Sequence, residues 1–433
     1  MRKKLDIQIT NIEEFKTKLI IAGEKHKKFV LLDSNNYPKK GTSDYTYYEY
    51  DFLAGIGSVK EIKNESFKSL STFNKKINDW LFGYFTYDLK NELEDLESNK
   101  PEKLHFPKLH FFIPEIVITS KNENVSVFYY NNQYSEDEIN KYISSISDLE
   151  MPDYKEEHKP IELAQRFSEK EYIETVNKLK NHIQIGDIYE INFCQEFYSN
   201  SKIEPVRTYL RLKDISPAPF SCFYKIDDKY LLSASPERFL KKEENKIISQ
   251  PIKGTIRRSP NKIEDNLLKE KLLYDPKEKA ENVMIVDLVR NDLSKTAKKA
   301  SVKVEELCGI YSFTQVHQMI STVCSEIEDS TDIIEVVMKA FPMGSMTGAP
   351  KIRAMKLIEK YERSKRELYS GAVGYISPDK NFDFNVVIRS ILYNDDKNYV
   401  SFTVGGAITN LAIAESEYDE CMIKAKAMIE VLK

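Results

Sequence analysis

Five cysteines stand among 433 residues, at positions 194, 222, 308, 324 and 421, and no two form a Cys-x-x-Cys pair. An odd, scattered set argues against a disulfide framework or a thiolate zinc site. It fits reduced thiols, buried as small hydrophobic side chains in a cytosol. No apolar run approaches the roughly 20 residues that a membrane-spanning helix needs. The opening Met1-Arg2-Lys3-Lys4-Leu5-Asp6 leads into mixed sequence without a continuous apolar stretch, so no signal peptide is expected and the expected location is cytoplasmic. Neither sign of charge dominates. The 64 Lys+Arg against 68 Asp+Glu leave a formal charge of −4, which gives no footing for nucleic acid or an anionic membrane as the main partner. Internal repeats and low-complexity tracts are missing, as are the Gly-x-Ser-x-Gly and Gly-x-Cys-x-Gly elbows of a built-in esterase or glutaminase. Gly344-Ser345-Met346-Thr347-Gly348-Ala349-Pro350-Lys351 fails as a phosphate loop, because Ala349 stands where a second glycine is required. Thr347 to Pro350 reads instead as a helix start, whose N–H groups could hold a carboxylate.

What is present describes a globular protein with ample core for one large domain or two. Met151-Pro152 through Lys159-Pro160 is charged and bracketed by proline, the best boundary in the chain. It separates an N-terminal α+β region, 1–155, from a larger unit, 160–433. In the first region Phe29–Leu32, Ile116–Ile118 and Val125–Tyr130 read as strands, and Trp80–Phe85 as an aromatic core run. Beyond the boundary, Ser168-Glu169-Lys170-Glu171 is a capping box, with Tyr172, Val176, Leu179 and Ile183 following at helical spacing. The helix ends at Gly186, and a strand resumes from Ile188 to Phe197. Further helices are expected over Ala280–Ala297, after Pro350, and over Ala414–Leu432. Between Tyr369 and Val404, two turn signals separate three strand-like runs of an antiparallel meander. The fold class is α+β with large antiparallel sheets, not a doubly wound sheet.

Two neighbouring stretches carry an acid and an amine: Ser235-Pro236-Glu237-Arg238-Phe239 and Pro251-Ile252-Lys253-Gly254-Thr255. The charged Lys241–Asn245 between them reads as a hairpin tip, which returns Glu237 and Lys253 to one end of a sheet. A salt bridge beside a turn and a catalytic pair are both compatible with this arrangement. Glu417, Glu420 and Lys424 fall on one face of the last helix, either a solvated stripe or carboxylates suited to Mg²⁺. Glu281 lies at the end of an apolar helix and needs a cation or hydrogen bonds to stay ionised. Asp287, Arg290, Asn291 and Asp292 read as structural groups that satisfy one another. Arg389, inside the apolar run Phe384–Leu392, must face solvent or an anion, and its fork fits a carboxylate.

With these motifs in place, the chain from about residue 165 onward resembles the chorismate-utilising enzymes. That family includes the first components of anthranilate synthase and aminodeoxychorismate (para-aminobenzoate) synthase, and the isochorismate and salicylate synthases. The matching blocks are Ser235–Phe239, Pro251–Thr255, Ala280–Asp292, Phe341–Lys351, Gly371–Tyr375 and Glu417–Glu420 followed by Lys424-Ala425. The resemblance implies a sandwich of large antiparallel sheets with helices outside. Anthranilate-forming relatives resemble Pro-Ile-Ala-Gly-Thr at the second block, whereas the aminodeoxychorismate type has lysine, as here at Lys253. Ala218-Pro219-Phe220-Ser221 is also similar to the latter type. Glu190 stands where ammonia-using relatives usually have Gln and water-using ones a basic Lys.

The implied reaction converts chorismate and ammonia to 4-amino-4-deoxychorismate for folate. Glu237 is its general acid, and Lys253, with its pKa lowered by the site, is the covalent nucleophile. The alternatives are an anthranilate synthase component I, then an isochorismate synthase or a non-catalytic regulatory subunit. Implied further are Mg²⁺ on Glu281 and Glu420 with Glu417 nearby, and the ring carboxylate near Gly254, Thr255 and Lys424. Tyr369 and Arg389 hold the enolpyruvyl carboxylate, and Gly405 and Gly406 let the backbone approach the ligand. Ala407 replaces a glycine that relatives often carry. A separate glutamine amidotransferase subunit is the implied source of ammonia. Leu31-Leu32-Asp33-Ser34 loosely resembles an inhibitor-binding Leu-Leu-Glu-Ser, which points to tryptophan as an N-terminal ligand.

Overall fold

The computed structural model describes residues 2–37, 49–151, 153, 160–313 and 316–433; the expected linker falls almost wholly outside these. Alternating side chains explain the architecture. In the hairpin Phe220–Ile226 and Lys229–Ser235, Cys222, Tyr224 and Leu231 join one core, whereas Phe223, Tyr230 and Leu232 join another. Successive strand residues point to opposite faces, so a strand apolar on both must be covered twice. One face meets a second sheet and the other meets helices.

The larger sheet runs in the order Arg2–Ile7, Asn124–Tyr130, Ile116–Lys121, Phe52–Ile56, Lys28–Asp33, Phe220–Ile226, Lys229–Ser235, Ser390–Asn394, Tyr399–Ile408, Glu190–Ser199 and Gly348–Ala349, with Ala164–Gln165 alongside Glu190–Ser199. The other runs Ile252–Arg257, Val316–Glu326, Lys246–Gln250, Arg238–Glu243, Phe382–Val386, Ala372–Ile376, Leu81–Phe85, Leu109–Ile113 and Lys60–Lys63, with Lys303–Ser312 on Val316–Glu326. The pairings between these strands are antiparallel. Tyr84 of one sheet meets Tyr224 of the other edge-on at 5.4 Å, and Tyr224 also hydrogen-bonds His110 at 2.7 Å. The Trp80–Phe85 run is core: Phe82, Tyr84 and Phe85 are fully buried, each side chain contributing roughly 1.5–3 kcal/mol by burial. Helices including Glu169–Gln184, Lys351–Tyr361 and Ala414–Leu432 cover the larger sheet, and Pro276–Ser294 and Ile333–Ala340 pack on the other. No described helix is long and apolar enough to cross a membrane.

Several local expectations hold in detail. Ser168 caps its helix, with Glu171 accepting from the Ser168 N–H at 2.9 Å, and Gly186 follows the helix at φ +77°. Others are corrected. Phe384–Leu392 is not one strand: Phe382–Val386 belongs to one sheet and Ser390–Asn394 to the other, and Arg389, at φ +49°, turns the chain between them. The expected meander is therefore four strands shared between two sheets. Its hydrophobicity was continuous because both sheets are buried, which hides the break. The helix expected from Ala280 begins at Pro276, capped by Asp275, which puts Glu281 in its second turn. Asp292 binds Lys295 and Lys351, while Arg290 and Asp287 pair in solvent. Strands from 2–130 and from 164–408 share both sheets, so the division near residue 155 crosses no gap in the core.

Candidate active site

Lys253 owes its direction to a bulge. Ile252 pairs with Ile320 and Thr255 with Gln318, so Lys253 and Gly254 together oppose a single residue. Gly254 takes φ +90°, a conformation costly for any other residue, and a Cβ there would stand 3.1 Å from Glu278 Oε2. The turned-in Lys253 Nζ donates to Glu190 Oε1 at 2.7 Å. Glu190 is 1% exposed, and its second oxygen has no hydrogen-bond partner among the described residues. Burial pulls the Lys253 pKa down, but Glu190, Glu281 and Glu237 outweigh it, and the net shift is upward. A nucleophilic lysine requires the opposite direction, and the Glu190 carboxylate is what reverses it.

Glu237 is held rigidly. Its N–H donates to Ser235 Oγ at 3.3 Å, its carbonyl accepts from the Val386 N–H at 3.0 Å, and its Oε1 accepts from Ser345 Oγ at 2.6 Å. Burial drives its pKa up to about 7, against the pull of Ser345, Lys253 and the Ile252 N–H. Arg238 pairs with Gln250 across the hairpin, so Glu237 and Lys253 emerge from the same end of the sheet. Nothing in the sequence around Ser345 marks it as a partner of Glu237, 108 residues earlier.

The starts of two helices bring the remaining acids together. Glu281 is 8% exposed, is driven by burial to about 7, and accepts from Thr409 Oγ1 at 3.5 Å. Glu417 is buried, with its pKa raised chiefly by that burial. Lys277 Nζ stands 3.3 Å from Glu417 Oε1 and 3.9 Å from Glu281 Oε1. Glu420, its side chain half-exposed, is held below the usual carboxylate range by Lys424 at 2.7 Å. Lys424 also donates to the Gly405 carbonyl at 3.1 Å, and a Cβ on Gly406 would lie 3.3 Å from Glu417 Oε2. Lys277 and Glu278 were missed, although they precede Glu281 by four and three residues and share its face. Among the described residues no three carboxylates converge into a ready-made metal cage. Even so, an ammonium between Glu281 and Glu417 marks a place for positive charge. The donor set suits Mg²⁺, a hard cation that takes one or two carboxylates and draws its other ligands from water and substrate.

Three other expected residues stand apart from this cluster. Arg389 lines a cavity of about 20 Å³ with Tyr37, Pro219, Pro236 and Phe313. Burial lowers its pKa, and no carboxylate pairs with it among the described residues. Tyr369 is buried with its hydroxyl 3.5 Å from Cys194 Sγ. Thr255 is exposed beyond the bulge. The N-terminal Asp33 is taken by Lys16 and Lys213, both at 2.9 Å, beside a cavity of about 60 Å³ walled by Tyr50, Phe220 and Tyr375. That is well below the roughly 300 Å³ of ligand pockets. Titration with tryptophan in a calorimeter is therefore expected to give no saturable heat; saturable heat would mean that the aromatic walls open.

Known proteins resemble this chain in sequence and in fold. The family model of the chorismate binding enzymes matches residues 27–430. Anthranilate synthase component 1 of Aquifex aeolicus (strain VF5) is 32% identical over 373 residues, 82% of this chain and 74% of that protein. Aminodeoxychorismate synthase component 1 of Escherichia coli (strain K12) is 30% identical over 353 residues, 81% of this chain and 76% of that protein. The crystal structure of anthranilate synthase component I from Streptococcus pneumoniae TIGR4 superposes with a TM-score of 0.76 at 23% identity, covering 91% of this chain and 95% of that one.

Proposed function

The chain belongs to the chorismate-binding enzymes, and on that premise we propose that it converts chorismate and ammonia to 4-amino-4-deoxychorismate. The observation that carries this reading is the Lys253 amine, turned into the site by the bulge and opposed by the buried acid Glu237. Identities of 32% and 30% to the two kinds of synthase do not choose between them, so the choice rests on this residue.

The chemistry follows from the two groups. The C4 hydroxyl of chorismate leaves readily only as water, and a carboxyl with its pKa near 7 is still partly protonated at neutral pH to supply that proton. As the C4–O bond breaks, Lys253 Nζ forms a bond to C2 and the ring double bonds shift between the two carbons. Ammonia then adds at C4, the double bonds shift back, and the C2–N bond breaks to release Lys253. Glu237, now a carboxylate, takes a proton from the new C4 ammonium and is reset. Where alanine replaces the lysine, C2 stays open to ammonia, the anthranilate outcome.

Glu281, Glu417 and Glu420 would hold Mg²⁺, whose charge neutralises the ring carboxylate. Lys424 and the open backbone at Gly406 flank that position, while the guanidinium of Arg389, which no carboxylate pairs among the described residues, suits the second carboxylate. Ammonia would come from a separate glutamine amidotransferase subunit.

Purified protein with chorismate, Mg²⁺ and an ammonium salt provides the test. The expected result is 4-aminobenzoate only after a lyase is added. Anthranilate fluorescence without a lyase would favour the anthranilate reading, and chorismate binding without any product would favour a non-catalytic subunit.

A further inference from the structure

A lysine can attack carbon only after losing a proton, and Lys253 sits in surroundings that keep one on it. Among the described residues its Nζ has one hydrogen-bond acceptor, Glu190 Oε1 at 2.7 Å, within direct proton-transfer distance. Glu190 projects from the first residue of the Glu190–Ser199 strand, on the face shared with Asn192 and Cys194, towards the space between the sheets. On one side Ala349 pairs with Glu190, and on the other Ile408 pairs with the neighbouring Ile191; neither titrates. Glu237 and Glu281 face the pair, and Glu278 and Glu420 also lie within electrostatic reach of Lys253.

We propose that Glu190 is the proton acceptor that frees Lys253 for attack and stores that proton while the covalent bond to substrate lasts. This rests on the aminodeoxychorismate reading, in which Lys253 is the nucleophile. The resting pair is Lys253 ammonium and Glu190 carboxylate. Proton transfer gives a neutral amine and a carboxylic acid. The amine attacks C2, becoming a secondary ammonium, while Glu237 protonates the departing C4 oxygen and water leaves. When ammonia adds at C4, Lys253 departs as a neutral amine and recovers its proton from Glu190. Glu237 takes its own proton from the C4 ammonium. Both carboxyls return to their starting forms, and the net change is chorismate plus ammonia to aminodeoxychorismate plus water. Glutamine at this position could hydrogen-bond the amine but could not take the proton.

Single-turnover mixing with chorismate and Mg²⁺, without ammonia, followed by quenching and mass spectrometry of the Lys253 peptide, tests this. The wild type should accumulate an adduct of chorismate less water. Glu190→Gln should form it roughly 10²-fold more slowly at neutral pH. Its rate should recover as pH rises towards the ordinary lysine range, and Glu190→Asp should retain part of the neutral rate. Adduct formation by Glu190→Gln at the wild-type rate would overturn the proposal, as would an equal loss at every pH, which marks a role in shape alone. A wild type that makes product without modifying Lys253 would remove the underlying reading, a failure distinct from these.

Discussion

Lys253→Ala should lose aminodeoxychorismate formation by at least the roughly 10²–10⁴-fold that a positioned proton-transfer group supplies, because the other lysines described near the site are already engaged. Lys277 is engaged with Glu417 and Glu281, and Lys424 with Glu420 and the Gly405 carbonyl. The substitution also strands the Glu190 carboxylate, 1% exposed, without its cation. Leaving a buried charge unpaired is strongly destabilising, on the order of 3–5 kcal/mol. Melting temperature must therefore be measured beside activity. Lys253→Ala combined with Glu190→Gln removes both charges and should recover much of the stability while staying inactive for the 4-amino product. Some anthranilate is expected from either variant, because C2 is no longer shielded. Unchanged activity and product would take Lys253 out of the mechanism.

Glu237→Gln should cut turnover by a similar roughly 10²–10⁴-fold while leaving chorismate affinity largely intact, since glutamine keeps the shape and still accepts from Ser345. The wild-type rate at low chorismate should fall as pH rises through about 7, where the buried carboxyl loses its proton. The residual activity of the variant should lack that limb. Stability should also fall with rising pH. The folded protein holds a proton on Glu237 up to about 7, whereas the unfolded chain releases it near 4.5. Stability is thus lost as pH rises between those values, and above the upper one the buried charge costs roughly 3 kcal/mol at about 1.4 kcal/mol per pH unit. Glu237→Gln avoids this cost, so it should melt above the wild type at pH 8 and close to it at pH 5. A variant that melts lower at both would mean that the carboxylate is better solvated than its 4% exposure implies.

The parts of the molecule that were legible in the sequence are those governed by local rules. The Ser168 capping box, the aromatic core of Trp80–Phe85 and the hairpin joining Glu237 to Lys253 follow from spacing and turn chemistry. What escaped was set by tertiary pairing. The break at Arg389 lies in a run apolar on both sides, so no change of pattern marks the crossing between sheets. Lys277 and Glu278 looked like an ordinary charged first turn until the last helix brought Glu417 against them. Glu190 was visible as an unusual residue, but its partner is 63 positions away and the contact forms only across two sheets. The lowered Lys253 pKa that a nucleophile requires is absent for the same reason: the carboxylates opposite, Glu190 foremost, outweigh burial.

The claim on which the rest depends is that Lys253 becomes covalently attached to the substrate at C2. Enzyme quenched during turnover with chorismate, Mg²⁺ and limiting ammonia, then digested and analysed by mass spectrometry, measures this directly. The account predicts a Lys253 peptide heavier by chorismate less water, which disappears when excess ammonia is added and 4-amino-4-deoxychorismate forms. Product formation with Lys253 unmodified at every time point would contradict it.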